Sequence, residues 1–257
     1  MTMESSENTL APCLQVKQLK KLYGSEVIVD SLSFDVYPGE LFALLGPNGA
    51  GKTTTLKMIA GLEHPSSGEI WVSGYAQHQN ALEVKKRLAY LPDDPLLYPK
   101  LTPLEYLEFM AGLWGMKADV AWKEAEELLR YLDLWTMRDR YTETLSRGMQ
   151  QKLAFAAGLI HRPELLMLDE PLTGLDAHAA HDVKQLLAAR AKEDGMAVVF
   201  TTHILDMAER WADRLALLHK GHLIALGKFE DLKLKRAEYE SMTLEQFFLE
   251  CTARGDS

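Results

Sequence analysis

The chain has 257 residues, 47% hydrophobic and 25% charged, which is the composition of a globular protein and not of a disordered one. Its 28 Lys and Arg stand against 37 Asp and Glu, and a net charge of −9 argues against wrapping nucleic acid by charge alone. The two cysteines, Cys13 and Cys251, lie near opposite ends, which excludes a disulfide framework and fits a reducing compartment.

Residues 1–12 are polar and end in Pro12. They lack a basic segment followed by an apolar one, so they are expected to form a loose leader and not a signal peptide. Leu14 to Tyr23 alternates apolar and polar residues and predicts a strand. Ser31 to Tyr37 does the same and is closed by the turn pair Pro38-Gly39. Leu41 to Leu45 is a short continuous apolar run, the mark of a strand buried on both faces. It leads into a Gly-rich loop and a helix from Lys52 to Ile59. Strands are expected at Glu69 to Val72 and Leu88 to Leu91.

From Pro103 to Trp135 the apolar residues recur at helical spacing, with Leu104, Leu107, Phe109 and Leu113 in one set. Ala125, Leu128, Leu129 and Leu132 form a second set. A third helix is expected from Gln150 to Ile160, stopped by Pro163. Buried strands then return at Leu165 to Leu168 and Ala197 to Phe200, with a helix from His181 to Ala191 between them. Arg214 to Leu218 and His222 to Leu226 flank Lys220-Gly221 and predict a hairpin, and the tail from Asp231 is expected to be helical. The order of elements predicts an α/β core with a helical insert. The longest apolar runs, Leu41 to Leu45 and Leu153 to Ile160, fall far short of the ~18–20 residues of a spanning helix. The chain is therefore expected to be cytoplasmic, with any membrane role exercised through a partner.

Two motifs carry chemistry. Gly46-Pro47-Asn48-Gly49-Ala50-Gly51-Lys52-Thr53 fits the Walker A pattern, between a buried strand and a helix as that pattern requires. Glycines let successive backbone N–H groups turn inward to form an anion nest, and the helix N-terminus adds partial positive charge. Lys52 is suited to the β- and γ-phosphates of a nucleotide, and the Thr53 hydroxyl to Mg²⁺. The second motif is the apolar strand Leu165 to Leu168 ending in Asp169-Glu170, the Walker B form. Asp169 is placed to hold Mg²⁺, and Glu170 to polarise an attacking water.

With these motifs stand others. Leu145-Ser146-Arg147-Gly148-Met149-Gln150-Gln151 resembles the LSGGQ signature of ATP-binding cassette (ABC) ATPases, 23 residues before Asp169. Thr173-Gly174-Leu175-Asp176 resembles that family's D-loop, and His203 stands where the family keeps its switch histidine. Tyr23, followed by Gly24, resembles the aromatic residue that stacks on adenine. The resemblance spans roughly residues 14 to 230. It implies a P-loop NTPase (RecA-like) α/β core with an N-terminal antiparallel β subdomain and an inserted α-helical subdomain at about 93–160. The ABC ATPase domain would then cover 13–232, and 233–257 would be a helical tail. It also implies ATP and Mg²⁺ as cofactors, with Glu170, His203 and Lys52 as the catalytic residues. The nucleotide-binding set is Tyr23, the loop Gly46 to Thr53, Thr54, Ser146, Gly148 and Asp176; the metal set is Thr53, Asp169 and Asp93.

In the family, two subunits stack head to tail, each ATP held between Walker A of one and the signature of the other. A second nucleotide-binding subunit, most simply another copy, is thus an expected partner. There are two departures. Asp93 takes the Q-loop Gln position, adding negative charge and suggesting an altered Mg²⁺ dependence. Arg147 replaces the first Gly of the signature and is expected to face solvent. The stretch Leu96 to Trp114, with Leu97 to Leu107 within it, and the ending Thr243 to Leu249 resemble ATPase subunits of bacterial type-2 ABC exporters. That implies a separate polytopic membrane subunit and a peripheral place on the inner face of the membrane. Leu96, Leu97 and Tyr98 suit either a docking groove for that subunit or the core of the helical insert. The competing function is an ABC ATPase acting on ribosomes or DNA. It is disfavoured by the acidic charge and by the lack of a second cassette, coiled coil or zinc module in this sequence.

Overall fold

The computed structural model describes residues 11–234, 239 and 242–255. Of the leader expected at 1–12, only residues 11 and 12 are described; part of the expected tail, 235–238, 240, 241, 256 and 257, also lies outside the described residues.

In chain order the strands are β1 (Leu14–Tyr23), β2 (Glu26–Val36), β3 (Leu41–Leu45), β4 (Ser67–Val72), β5 (Tyr75–Ala76), β6 (Leu88–Leu91), β7 (Leu165–Leu168), β8 (Ala197–Thr202), β9 (Arg214–His219) and β10 (His222–Gly227). The α-helices are α1 (Lys52–Ile59), α2 (Ala81–Arg87), α3 (Pro103–Leu113), α4 (Ala118–Tyr131), α5 (Arg147–Leu159), α6 (Ala177–Asp194), α7 (Leu205–Trp211), α8 (Phe229–Lys233) and α9 (Leu244–Gly255). One sheet is antiparallel in the order β2-β1-β4-β5. The other has the order β10-β9-β3-β8-β7-β6, parallel except for β10.

The apolar runs explain the layering. Successive side chains of a strand point to opposite faces. Leu41, Ala43 and Leu45 of β3 therefore enter one core, with Leu166, Leu168, Val198 and Phe200. Phe42 and Leu44 enter the other, with Leu165, Met167, Ala197 and Val199. The first core continues into α3, α4 and α5; the second is shared with α1 and the antiparallel sheet. Each fully buried Leu or Phe contributes on the order of 1.5–3 kcal/mol, so a polar residue at any one position of these runs would cost the core that it faces that much.

Several boundaries differ from the sequence expectation. The two helices expected from the apolar sets of the insert are α3 and α4, parted at Gly115 (φ 68°). Thr102 starts α3 as one half of a capping box with Glu105, with Pro103 in the first turn. Helix α5 starts at Arg147 and not Gln150, because the Ser146 hydroxyl accepts the Met149 N–H and caps it. Helix α6 runs from the Asp176 cap to Gly195 (φ 69°), beyond the apolar stretch that suggests it. Strand β2 begins at Glu26; its outer half is largely exposed, and Ser31 takes φ 53° at a register shift, which blurs the alternation. Helix α2 buries only Val84, so no apolar period reveals it.

The end of α5 is joined to β6 and α3 by His161. Its ring stacks on Trp114 with centroids 4.0 Å apart, and its Nε2–H donates to the Leu88 carbonyl at 3.3 Å. Burial pushes the imidazole down to about 4, against the weaker upward pull of that hydrogen bond. The unfolded chain takes up a proton near pH 6.5 that the fold refuses until about 4. Stability is therefore expected to fall as pH drops from 6.5 toward 4, by roughly 1–2 kcal/mol at pH 5. Urea midpoints measured from pH 7 to 4.5 check this. His161→Phe should flatten the slope, and an unchanged slope would assign it to other groups.

Candidate functional site

The order β3-β8-β7-β6 sets four carboxyl-terminal strand ends side by side. The P-loop leaves β3, His203 follows β8, Asp169 and Glu170 follow β7, and Asp93 follows β6. Ligand sites in parallel sheets lie at this edge because every strand delivers its loop there.

Gly51 is the N-cap of α1 at φ 96°, and an added Cβ would sit 2.8 Å from the Ile28 carbonyl oxygen. Only glycine meets both conditions, and it lets the loop turn its N–H groups inward. The cavity, about 260 Å³, is lined by Asn48 to Thr54 with Asp93, Asp169 and Glu170. Lys52 is 6% exposed. Its Nζ donates to the carbonyls of Gly46 at 2.8 Å and Pro47 at 3.2 Å, and lies 3.7 Å from Glu170 Oε1. Burial lowers the affinity of this ammonium for its proton; Glu170 and Asp169 act in the opposite sense.

Asp169 is buried at 4% exposure and takes three hydroxyl contacts. Its Oδ1 accepts from Thr53 at 3.0 Å and Thr201 at 2.6 Å, and Tyr90 approaches Oδ2 at 3.4 Å. Burial first, then the Asp169 charge, raises the Tyr90 phenol well above its ordinary value, so it stays a donor. Glu170 sits at φ 47°, a conformation that a non-glycine residue adopts at a cost. That bend turns its carboxylate back over the site, where Oε2 is 3.0 Å from His203 Nδ1. Its own N–H donates to Thr201 Oγ1 at 2.9 Å.

The fold thus brings Lys52, Thr53, Asp93, Asp169, Glu170 and His203 together. Thr201 was not evident in the sequence, yet its hydroxyl binds both Asp169 and the Glu170 backbone. The signal for it is weak: a Thr pair ending an apolar strand just before His203. Tyr23, Ser146, Gly148 and Asp176 do not line the phosphate cavity. Tyr23 is 48% exposed at the β1–β2 turn and donates to Glu63, while Lys21 lies 4.9 Å from its ring centre. Ser146 and Asp176 cap α5 and α6, and Asp176 Oδ1 accepts from Ala179 N–H at 2.8 Å. That bond holds the Asp176 carboxyl below the usual range. Arg147 is exposed, as expected, but its stem lies against Gly174.

The donors around Asp169 are all oxygens, which suits a hard cation held by one or two side chains and by phosphate. Among the described residues no three His, Cys, Asp or Glu are placed to hold a metal ion by themselves. A second cavity, about 410 Å³, runs between β6, α3 and α5, lined by Pro95, Leu96, Leu97, Tyr106, Met110, Trp114 and His161 among others. Leu96 is 84% exposed and Tyr98 53%, so neither is core of the helical insert; Leu97 is partly buried against it.

The fold and the phosphate site together define a P-loop ATPase. The ABC transporter family model matches residues 29–173. The chain is 40% identical over 223 residues to the linearmycin resistance ATP-binding protein LnrL of Bacillus subtilis, covering 85% of this chain and 70% of that one. It is 38% identical to the Nod factor export ATP-binding protein I of Cupriavidus metallidurans, with coverage of 85% and 72%. Among solved structures it matches the dimeric post-hydrolysis state of the ATP-binding cassette MJ0796 bound to ADP and Pi. There the TM-score is 0.76 and the identity 27%, over 84% of this chain and 98% of that one. The chain belongs to the ABC transporter family, as an ATP-binding and ATP-hydrolysing subunit. Among the described residues no helix is long and apolar enough to cross a membrane.

Proposed function

We propose that this chain is the motor of an exporter, in which two copies close head to tail on ATP and drive a separate polytopic membrane subunit. The observation that carries the reading is the meeting of Lys52 and Glu170 in the wall of the P-loop cavity, with His203 on the Glu170 carboxylate. The export relatives and the type-2 exporter-like segments at 96–114 and 243–249 support the direction.

The P-loop N–H groups and Lys52 bind the phosphates. A γ-phosphate gives Lys52 a stronger partner than the Gly46 and Pro47 carbonyls it now holds, and releases Glu170 from it. Glu170 then orients and deprotonates the attacking water, and His203 holds the Glu170 carboxylate toward the γ-phosphate. Thr53, Asp169 and Asp93 would hold Mg²⁺, which when bound neutralises charge on the β- and γ-oxygens. Tyr23 stacks on adenine at the exposed edge. Ser146 and Gly148 at the start of α5, with Asp176, face the nucleotide of the other copy. Their position away from this chain's own phosphate cavity supports that division. The groove at Leu96, Met110 and Trp114 takes a cytoplasmic helix of the membrane subunit, which would bury the exposed Leu96.

Restoring Gln at position 93 is expected to shift the Mg²⁺ titration of ATP hydrolysis; identical curves would remove Asp93 from the metal site. To test the whole reading, tagged Glu170→Gln would be purified with Mg-ATP from mildly solubilised native cells. A polytopic membrane protein in near-stoichiometric yield is the expected companion. Ribosomal or DNA-bound proteins in its place would overturn the transporter reading in favour of a ribosome- or DNA-directed ATPase.

A further inference from the structure

We propose that Arg147 is a positioning residue: its side chain lies across Gly174 and fixes the D-loop, residues 173–176, to the end of α5 that carries the signature. A Cβ built on Gly174 would lie 2.9 Å from Arg147 Nε, 3.1 Å from Cδ and 3.3 Å from Cγ. Three consecutive side-chain atoms therefore lie against one glycine, and Gly174 itself takes φ 83°. No side chain fits between them.

An arginine that merely reached into solvent would have no reason to lie there. Arg147 begins α5, where a cation opposes the helix dipole and gains nothing from it. Among the described residues no hydrogen bond or ion pair holds its guanidinium. The contact with Gly174 is what places the side chain. One turn further along the same helix face, Gln151 Nε2 donates to the Pro171 carbonyl at 3.3 Å. Between the two, Gly148 lies so close that an added Cβ would be 3.6 Å from the Gly174 carbonyl oxygen. The first turn and a half of α5 is thus a bed for residues 171–175. Glu170 stands at one end of that segment and Asp176 at the other.

The consequence is mechanical. A displacement of the signature carries the D-loop with it, because side-chain atoms packed closely on a backbone do not slide freely past it. In the head-to-tail reading proposed above, the signature and Asp176 both face the other copy, so Arg147 makes them move as one surface. That consequence rests on the dimer reading; the clasp itself does not.

Arg147→Met keeps three atoms at the places of Cγ, Cδ and Nε while removing the charge. Arg147→Ala removes them all. The first measurement is hydrogen exchange of the 172–176 segment in the nucleotide-free full chain. Arg147→Ala should exchange about tenfold faster, the order expected from losing the packing of two methylenes, and Arg147→Met within about twofold of the parent. If Met exchanges as fast as Ala, or Ala as slowly as the parent, the clasp is wrong. The second measurement is Mg-ATP-driven dimerisation in the Glu170→Gln background. The ATP needed for half-maximal dimer should rise about tenfold for Arg147→Ala and stay near the parent for Arg147→Met. A Glu170→Gln parent that stays monomeric sinks the head-to-tail reading, while the exchange ranking still decides the clasp.

Discussion

Glu170→Gln is expected to lower ATP turnover by about a thousandfold and to leave ATP affinity within a few-fold. The substitution is nearly isosteric, so the φ 47° bend after β7 and the N–H bond to Thr201 remain. What is lost is the carboxylate, which stands 3.0 Å from His203 and 3.7 Å from Lys52. An amide accepts no proton from water and gives His203 no charge to hold. The phosphate contacts come from the P-loop and Lys52, which the change does not touch, so binding persists. Single-turnover hydrolysis and titration with a fluorescent ATP analogue measure the two quantities separately. A loss of only a few-fold would take the proton from water to another group and demote Glu170 to an orienting residue.

Glu124→Gln is expected to destabilise the protein by about 2–3 kcal/mol, or on the order of 5–10 °C in Tm. Glu124 lies on α4 and is 3% exposed. One carboxylate oxygen accepts from Arg162, just beyond α5, and the other from Arg190 of α6 at 2.8 Å. Arg190 is itself only 11% exposed. Removing the carboxylate therefore takes from Arg190 its one buried anionic partner and leaves it Glu127 at 3.0 Å and Asp194 at 3.3 Å, both exposed. The triad also ties the helical insert to the parallel-sheet core, so the loss falls on their joint. Arg162 is 57% exposed, and Arg162→Ala should cost nearer 1 kcal/mol. Urea unfolding of both variants gives the comparison. A Glu124→Gln cost below that of Arg162→Ala would show that the buried pair with Arg190 contributes little.

Particular residues show where the sequence is informative. Gly51 and Lys52 are legible because a tight loop, a helix start and a phosphate site impose local demands that few residue types meet. Leu41 to Leu45 and Leu165 to Leu168 are legible because only a strand buried on both faces tolerates an unbroken apolar run. Ser146 is less so: a serine caps many helices, and the apolar period of α5 begins later. Thr201 and Glu124 are illegible, since one is a threonine at a strand end and the other an acid on a helix that looks solvated.

What the sequence by itself determined, then, is whatever acts within about a dozen residues: the phosphate loop, the buried strands, the acids that end one of them, and the helical character of the insert. Those depend on steric and hydrophobic patterns that the neighbouring residues complete. The tertiary structure decided which distant groups meet. Strand order β3-β8-β7 places His203 against Glu170, 33 residues away, and lets Thr201 hold Asp169. It also lays Arg147 over Gly174 and pairs Glu124 with Arg190. No local pattern encodes these contacts, because each is fixed by how sheets and helices pack and not by the residues beside it.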